Sequence, residues 1–345
     1  MNVLTRNIGS KSQPAGMLKN STVKHVLVSR PNHRLGNMLM VTPLVQEIEN
    51  TFPGAKVDIF GKGFVATELF KNYSSVDRLL LLPKKHFKQL GKYLLMWTKL
   101  KTRRYDLVIN VASSSSSGRL STQFSNGRVK MFNDRDEALQ NLYKDYGHMA
   151  KEPVYNLRKF LGTPASKLAE IPIPTLNIKL SAEELERGRQ QLLQITKNDK
   201  PTLAIYTFAT GHKCYSAEWW HSFYNRLLKE FPNYNIVEIL PVENVSQIDF
   251  KAPSFYSKDL RLIAAFIANT EMFIGGDSGM MHLASTSQKP VAGLFSVSNM
   301  DGYQPYGNHS RGINTNNTHL EEQMRIIREI LSDAENAGQE FVKHA

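Results

Sequence analysis

An α/β fold in two sheet-containing halves is what this sequence predicts, and three observations carry that expectation. Short apolar, β-rich runs alternate with stretches of helical spacing, once from Val23 onward and again from Pro201 onward. A stretch held out of helix by prolines, Ile171, Pro172, Ile173 and Pro174, stands between the two series. The 345 residues suffice for two domains of ordinary size.

In the first half, residues 23–29 read as a strand, and a loop around Gly36 leads into a helix over Thr42–Thr51 that Pro53 and Gly54 end. Residues 57–60, 76–82 and 107–111 are further strands, Ser113 to Ser117 a loop, and 133–160 a helical region of mixed charge. In the second half Ser181 caps a helix reaching Leu193, with Glu184 completing a capping box. A strand at 201–206, a helix at 219–231, a strand at 236–240 and a helix at 260–269 follow. Phe273 to Phe295 is a strand, turn, helix and strand, and 318–341 is a long helix with Leu320, Met324, Ile327, Ile330 and Leu331 on one side. Strands alternating with helices imply parallel sheets. The expected division is a loose tail at 1–21, domains at 22–170 and 201–317, a linker and helix at 171–200, and a terminal helix at 318–345.

A hydrophobic share of 41% with scattered charge describes a globular protein. The single cysteine, Cys214, permits no intramolecular disulfide and suits a reducing cytoplasm. Residues 1–21 show no apolar signal core, and no run reaches the roughly 18 apolar residues of a membrane span. The net charge of +12 is uneven: from Lys84 to Arg104 there are eight Lys or Arg and no acid. Phe87, Leu90, Tyr93, Leu94, Trp97 and Leu100 recur there at helical spacing. Such a helix either lies on an anionic membrane surface or covers a sheet with its apolar side. The second is the expectation here, with the basic outer face drawn to anionic lipid or a phosphorylated acceptor. No nucleic-acid motif accompanies the charge, so nucleic acid is not expected as a partner.

The chemistry concentrates in Gly275, Gly276, Asp277, Ser278 and Gly279. A glycine turn admits a ligand close to the backbone, and the first N–H groups of the following helix attract an anion. Ser278 is a natural N-cap whose hydroxyl also reaches phosphate. An ordinary strand-to-helix turn would look similar. Asp134, Arg135 and Asp136 form an Asp-x-Asp pattern, read as charged surface for want of a strand before it.

Three segments resemble glycosyltransferase family nine, the lipopolysaccharide heptosyltransferases. Gly275, Asp277, Ser278, Gly279, His282, Ala284 and Pro290, with Tyr303, Pro305 and Gly307 beyond, fit its C-terminal signature. Arg34, Gly36, Thr42, Pro43 and Leu44 fit its opening loop, and Tyr105 to Asn110 its Y-D-x-V-I-D strand. The resemblance implies a GT-B fold: two Rossmann-like domains facing across a cleft, acceptor on the first and nucleotide-sugar on the second, with the C-terminal helix packing back over the junction. It implies an inverting, metal-independent enzyme with no cofactor, moving a heptose-like sugar from a donor that is ADP-linked by analogy. The acceptor would be a lipid-linked saccharide at the cytoplasmic face of the inner membrane.

By the same resemblance Ser278, Gly279 and Met280 hold the diphosphate. Asp277, an awkward neighbour for that charge, is expected to brace the turn by accepting backbone hydrogen bonds, with direct sugar contact as the alternative, and His282 either touches the ligand or packs against the sheet. Lys213 offsets the leaving charge. Thr207 donates its hydroxyl at the same place, and Glu243 lies where a ribose contact is expected. Asn37 stands where the family has an Asp that serves as base. An amide has no proton affinity near neutral pH. The proton therefore goes to His33, or late to the leaving phosphate with Asn37 orienting the acceptor. Otherwise the protein is a noncatalytic nucleotide-sugar or saccharide binder.

Overall fold

A computed structural model of the chain describes residues 18, 23–84 and 86–344, and the side chains of these except 86, 87 and 338–344. The tail expected at 1–21 lies outside the described residues apart from Leu18. Two compact units make up the chain, Met1–Pro174 and Thr175–Ala345.

The first unit runs β1 (His25–Ser29), α1 (Leu35–Leu39), α2 (Thr42–Thr51), β2 (Lys56–Lys62), α3 (Val65–Leu69), β3 (Val76–Leu82), α4 (Leu90–Lys99), β4 (Tyr105–Asn110), α5 (Ser116–Phe124), β5 (Gly127–Met131), α6 (Glu137–Leu142) and α7 (Glu152–Phe160). Its five strands pair in the order β3-β2-β1-β4-β5, all parallel. The second unit runs α8 (Ala182–Thr196), β6 (Thr202–Tyr206), α9 (Ala217–Glu230), β7 (Asn235–Ile239), β8 (Ser254–Phe255), α10 (Leu260–Ala268), β9 (Met272–Gly276), α11 (Gly279–Ser285), β10 (Val291–Phe295), α12 (Met300–Tyr303), β11 (Arg311–Asn314) and α13 (Leu320–His344). Six strands pair in the order β11-β10-β9-β6-β7-β8, again all parallel.

The foreseen strands form. β5, β8 and β11 were not foreseen, being short or lying beside polar runs. The serine run is only partly loop, because Ser115 caps α5 by accepting the N–H of Gly118. The 133–160 region is two helices, α6 and α7, with Tyr143, Tyr146 and Tyr155 clustered around Leu139 between them. The Tyr105 to Asn110 motif has a structural role. The Tyr105 hydroxyl donates to Asp58 at 2.8 Å, and Asp106 accepts the N–H groups of Lys24 and His25 at 2.8 and 3.1 Å. Asn110 donates to the carbonyls of Ala112 and Phe132 at 2.9 and 3.0 Å, bonds a carboxylate cannot make.

The expected helical seam at 84–104 splits. Tyr93, Met96, Trp97 and Leu100 pack on the sheet with Leu27, Phe60, Leu80 and Val108. Leu90 and Leu94 do not: they are 58% and 55% exposed. Apolar positions spaced by threes and fours span a wider arc than one sheet face covers.

In the second unit α8 packs on α10 through Gly188, where an added Cβ would sit 2.3 Å from the carbonyl of Ala265. Arg261, buried, forks onto Glu184 at 2.5 and 2.8 Å and donates to the Ile178 carbonyl at 3.0 Å. Glu184 thus serves its capping box and this pair together. The helix α13, expected to pack back over the junction, lays Met324, Ile327, Ile330 and Leu331 into the core of its own unit with Trp220, Phe223 and Ile313.

Candidate functional site

In a doubly wound sheet, ligands bind beyond the carboxyl ends of the strands where the order reverses. In the second unit that point lies between β6 and β9, paired through Tyr206 and Gly275. The residues following these two strands are Thr207 to Lys213 and Asp277 to Met280. Strand order alone therefore converges the segments that the sequence singled out.

Gly275 allows the approach of the strands, since a Cβ there would meet the Phe273 ring at 2.9 Å and the Tyr206 carbonyl at 3.2 Å. Ser278 is the N-cap of α11 and accepts from the Met281 N–H at 3.4 Å. Ser278, Gly279 and Met280 are half-exposed, whereas Asp277 and His282 are buried. The leading N–H groups of a helix have no acceptor within it. His282 packs toward Tyr303, ring centroids 6.5 Å apart, with its side chain in the buried layer.

Lys213 sits in a 3₁₀ turn, Gly211–Lys213, and its Nζ meets Asp277 Oδ2 at 2.5 Å. Asp277, expected to accept backbone N–H groups, accepts from a cation 64 residues earlier. Lys213 keeps 40% of its side chain exposed, while Asp277 keeps 6%. The charge is held over the turn and still faces solvent.

Thr207 departs from its expected role. Its hydroxyl is buried, donating to Glu238 at 2.6 Å and accepting the Gln247 N–H at 3.1 Å, so it braces the loop and is not aimed at a ligand. Glu238 was overlooked because a lone acid in an apolar strand carries no pattern. Its second oxygen accepts from Ser246 at 2.7 Å. Burial raises its pKa above the ordinary value, against the two hydroxyl bonds that lower it. Glu243 is exposed on the loop after β7. Tyr215, two residues beyond Lys213, stacks on Trp219 with ring centroids 4.2 Å apart and hydrogen-bonds Thr315 at 2.9 Å.

In the first unit the reversal lies between β1 and β4, paired through Ser29 and Asn110. His33 and Asn37 follow β1. Asn37 lies half-buried in α1, and His33 is exposed. The His33 pKa is lowered by partial burial first, then by Lys62, Lys84 and Arg34. The Asp-x-Asp pattern does follow a strand, β5, but its acids are committed: Asp134 pairs with Arg119 at 2.5 Å, and Asp136 caps α6 and pairs with Lys159.

Two doubly wound parallel sheets match the fold of GT-B-type glycosyltransferase structures. Residues 257–329, containing the glycine turn, match the model of glycosyltransferase family 9 (heptosyltransferase). The family 9 glycosyl transferase from Veillonella parvula DSM 2008 has a similar structure, with TM-score 0.73, 15% identity, and coverage of 92% of this chain and 99% of that one. The E. coli ADP-heptose lps heptosyltransferase II gives TM-score 0.67 at 14% identity over 90% and 99% of the two chains. E. coli heptosyltransferase WaaC with ADP gives 0.62 at 14% identity over the same shares. At such identities the structural likeness establishes the fold. No curated protein matches the sequence. The resemblance to family nine thus holds by family model over the C-terminal segment and by fold over most of the chain.

Proposed function

We propose that the protein is an inverting glycosyltransferase that moves a heptose-like sugar from an ADP-linked donor to a lipid-linked envelope saccharide. The observation that carries this reading is the delivery of Lys213 onto the Gly275 to Met280 turn, 2.5 Å from Asp277. A diphosphate at that turn meets a cation, the Ser278 hydroxyl and the leading N–H groups of α11, donors that favour the charge developing on the leaving group. With these in place the reading includes no metal. Glu243 and the half-exposed turn residues complete the donor side, with His282 behind them as packing.

The acceptor oxygen attacks the anomeric carbon, the bond from that carbon to the phosphate oxygen breaks, and the acceptor proton passes to His33. Partial burial, and after it the charges of Lys62, Lys84 and Arg34, lower the His33 pKa, which favours the neutral imidazole that a base needs. Asn37 holds the acceptor hydroxyl. The basic segment from Lys84 to Arg104 suits an acceptor anchored in an anionic inner membrane, on its cytoplasmic face.

Asn37 favours one second reading, a nucleotide-sugar or saccharide binder without turnover. Released ADP from an ADP-sugar with an envelope-lipid extract separates the two. Release lost on Ser278→Ala with Lys213→Ala supports transfer. Binding of every donor tried, without release, supports the binder. Absence of ADP binding at residues 277–280 overturns the transferase reading and the nucleotide-sugar binder with it.

A further inference from the structure

Helix α4 presents two apolar faces, and only one is spent on the sheet. At about 100° per residue, Leu90, Leu94 and Leu95 share the outward face with Gly91 and Thr98, flanked by Lys92 and Lys99. The three leucines are 58%, 55% and 51% exposed. Phe64, 71% exposed, extends this surface, since Lys92 Nζ lies 5.6 Å from its ring centroid. Single exposed apolar residues are ordinary, but an adjoining set of large ones on a cationic rim marks an interaction surface. Lys84, Lys88, Lys92 and Lys99 are exposed around it, and no acid occurs from Lys84 to Arg104.

The patch adjoins the loop assigned to the acceptor. A Cβ on Gly63, the residue before Phe64, would lie 3.7 Å from the His33 Cβ and 2.9 Å from the Lys84 Cε. His33, Gly63, Lys84, Phe64 and α4 thus form one continuous border of the first unit.

We propose that this border seats the first unit on an anionic lipid bilayer. Phe64, Leu90, Leu94 and Leu95 enter the acyl boundary while the lysines meet headgroup phosphates. The complementarity of an acid-free lysine rim to anionic headgroups selects a bilayer over a second copy of the chain, whose own patch carries the same charge. The role of this contact, bringing an anchored saccharide to His33 and Asn37, rests on the acceptor reading above; the contact itself does not.

The test is cosedimentation of the full chain with vesicles of phosphatidylcholine and phosphatidylglycerol, and with phosphatidylcholine alone. The intact protein binds the first and not the second. Leu94→Ser with Leu95→Ser weakens binding roughly tenfold or more, because each half-exposed leucine loses its gain from leaving water. Lys88→Gln and Lys92→Gln cost roughly fivefold each. In Leu94→Trp, fluorescence shifts to the blue and is quenched by brominated acyl chains. Equal binding by the intact protein and the leucine variants, or an unquenched Leu94→Trp, overturns insertion. So does a concentration-dependent dimer that dissolves in the leucine variants while vesicles go unbound. Calorimetric ADP binding on the same samples keeps the readings apart: vesicle binding without ADP binding refutes the donor site alone, and the reverse refutes bilayer docking alone.

Discussion

Replacing Lys213 with Met is the sharpest probe of the diphosphate site proposed at the turn after β9, and Asp277→Asn is its counterpart. The pair is asymmetric: Asp277 keeps 6% exposure and Lys213 keeps 40%. A charge-assisted bond from lysine to a phosphate oxygen contributes about 1.5–3 kcal/mol when well formed. At this exposure the lower half of that range applies, so Lys213→Met weakens ADP binding by roughly 12- to 40-fold. Asp277→Asn acts in the opposite sense. In direct contact at an effective dielectric of about 20 two unit charges interact by several kcal/mol, and solvent around the exposed lysine, with the cost of desolvating the buried carboxylate, reduces the net to about 1 kcal/mol. Releasing Lys213 from that competition raises ADP affinity by up to about fivefold. Isothermal titration calorimetry with ADP reads both, with thermal melts to show that each variant folds. If Lys213→Met binds ADP as the intact protein does, the site is not a diphosphate site. If both variants weaken binding equally, Lys213 serves only as the partner of Asp277.

Asn37→Asp restores a group with proton affinity in α1 and is expected to raise kcat about tenfold or more, measured as ADP release; an unchanged kcat shows that the proton leaves by another route. His33 acts as base only when unprotonated, and its pKa is lowered, so kcat/KM falls on acidification with a midpoint below 6.5. Lys84→Gln removes one of the depressing charges and moves that midpoint upward, whereas an acid limb that persists in His33→Ala excludes His33. Gly188→Ala pushes a methyl into the Ala265 backbone at 2.3 Å. Its expected cost is about 3 kcal/mol or more, lowering the melting temperature by roughly 6–12 °C, read by calorimetry.

The turn after β9 was legible because its signal is local. Glycines before a capped helix announce a turn wherever they stand, and Ser278 caps α11 as its position in the chain implies. The same locality made Ser181 and Glu184 readable as a capping box. Thr207 and Asp277 show where local reading stops. Each was assigned by position relative to a strand, yet the partner of each lies on another strand's loop or on another strand, at Glu238 for Thr207 and Lys213 for Asp277. Glu238 was invisible, since nothing nearby in sequence marks a carboxyl that two hydroxyls will satisfy.

The sequence by itself determined the alternation of strands and helices, the caps, the glycine turn and the acid-free basic segment, because each depends on neighbours within a few residues. Tertiary structure alone decided which apolar face of α4 is covered, since that depends on the width of the sheet beneath. It also decided that Lys213 reaches Asp277 and that Thr207 turns away to Glu238. Those contacts follow from the order in which β6, β7 and β9 pair, and strand order is set by long-range packing that no window along the chain contains.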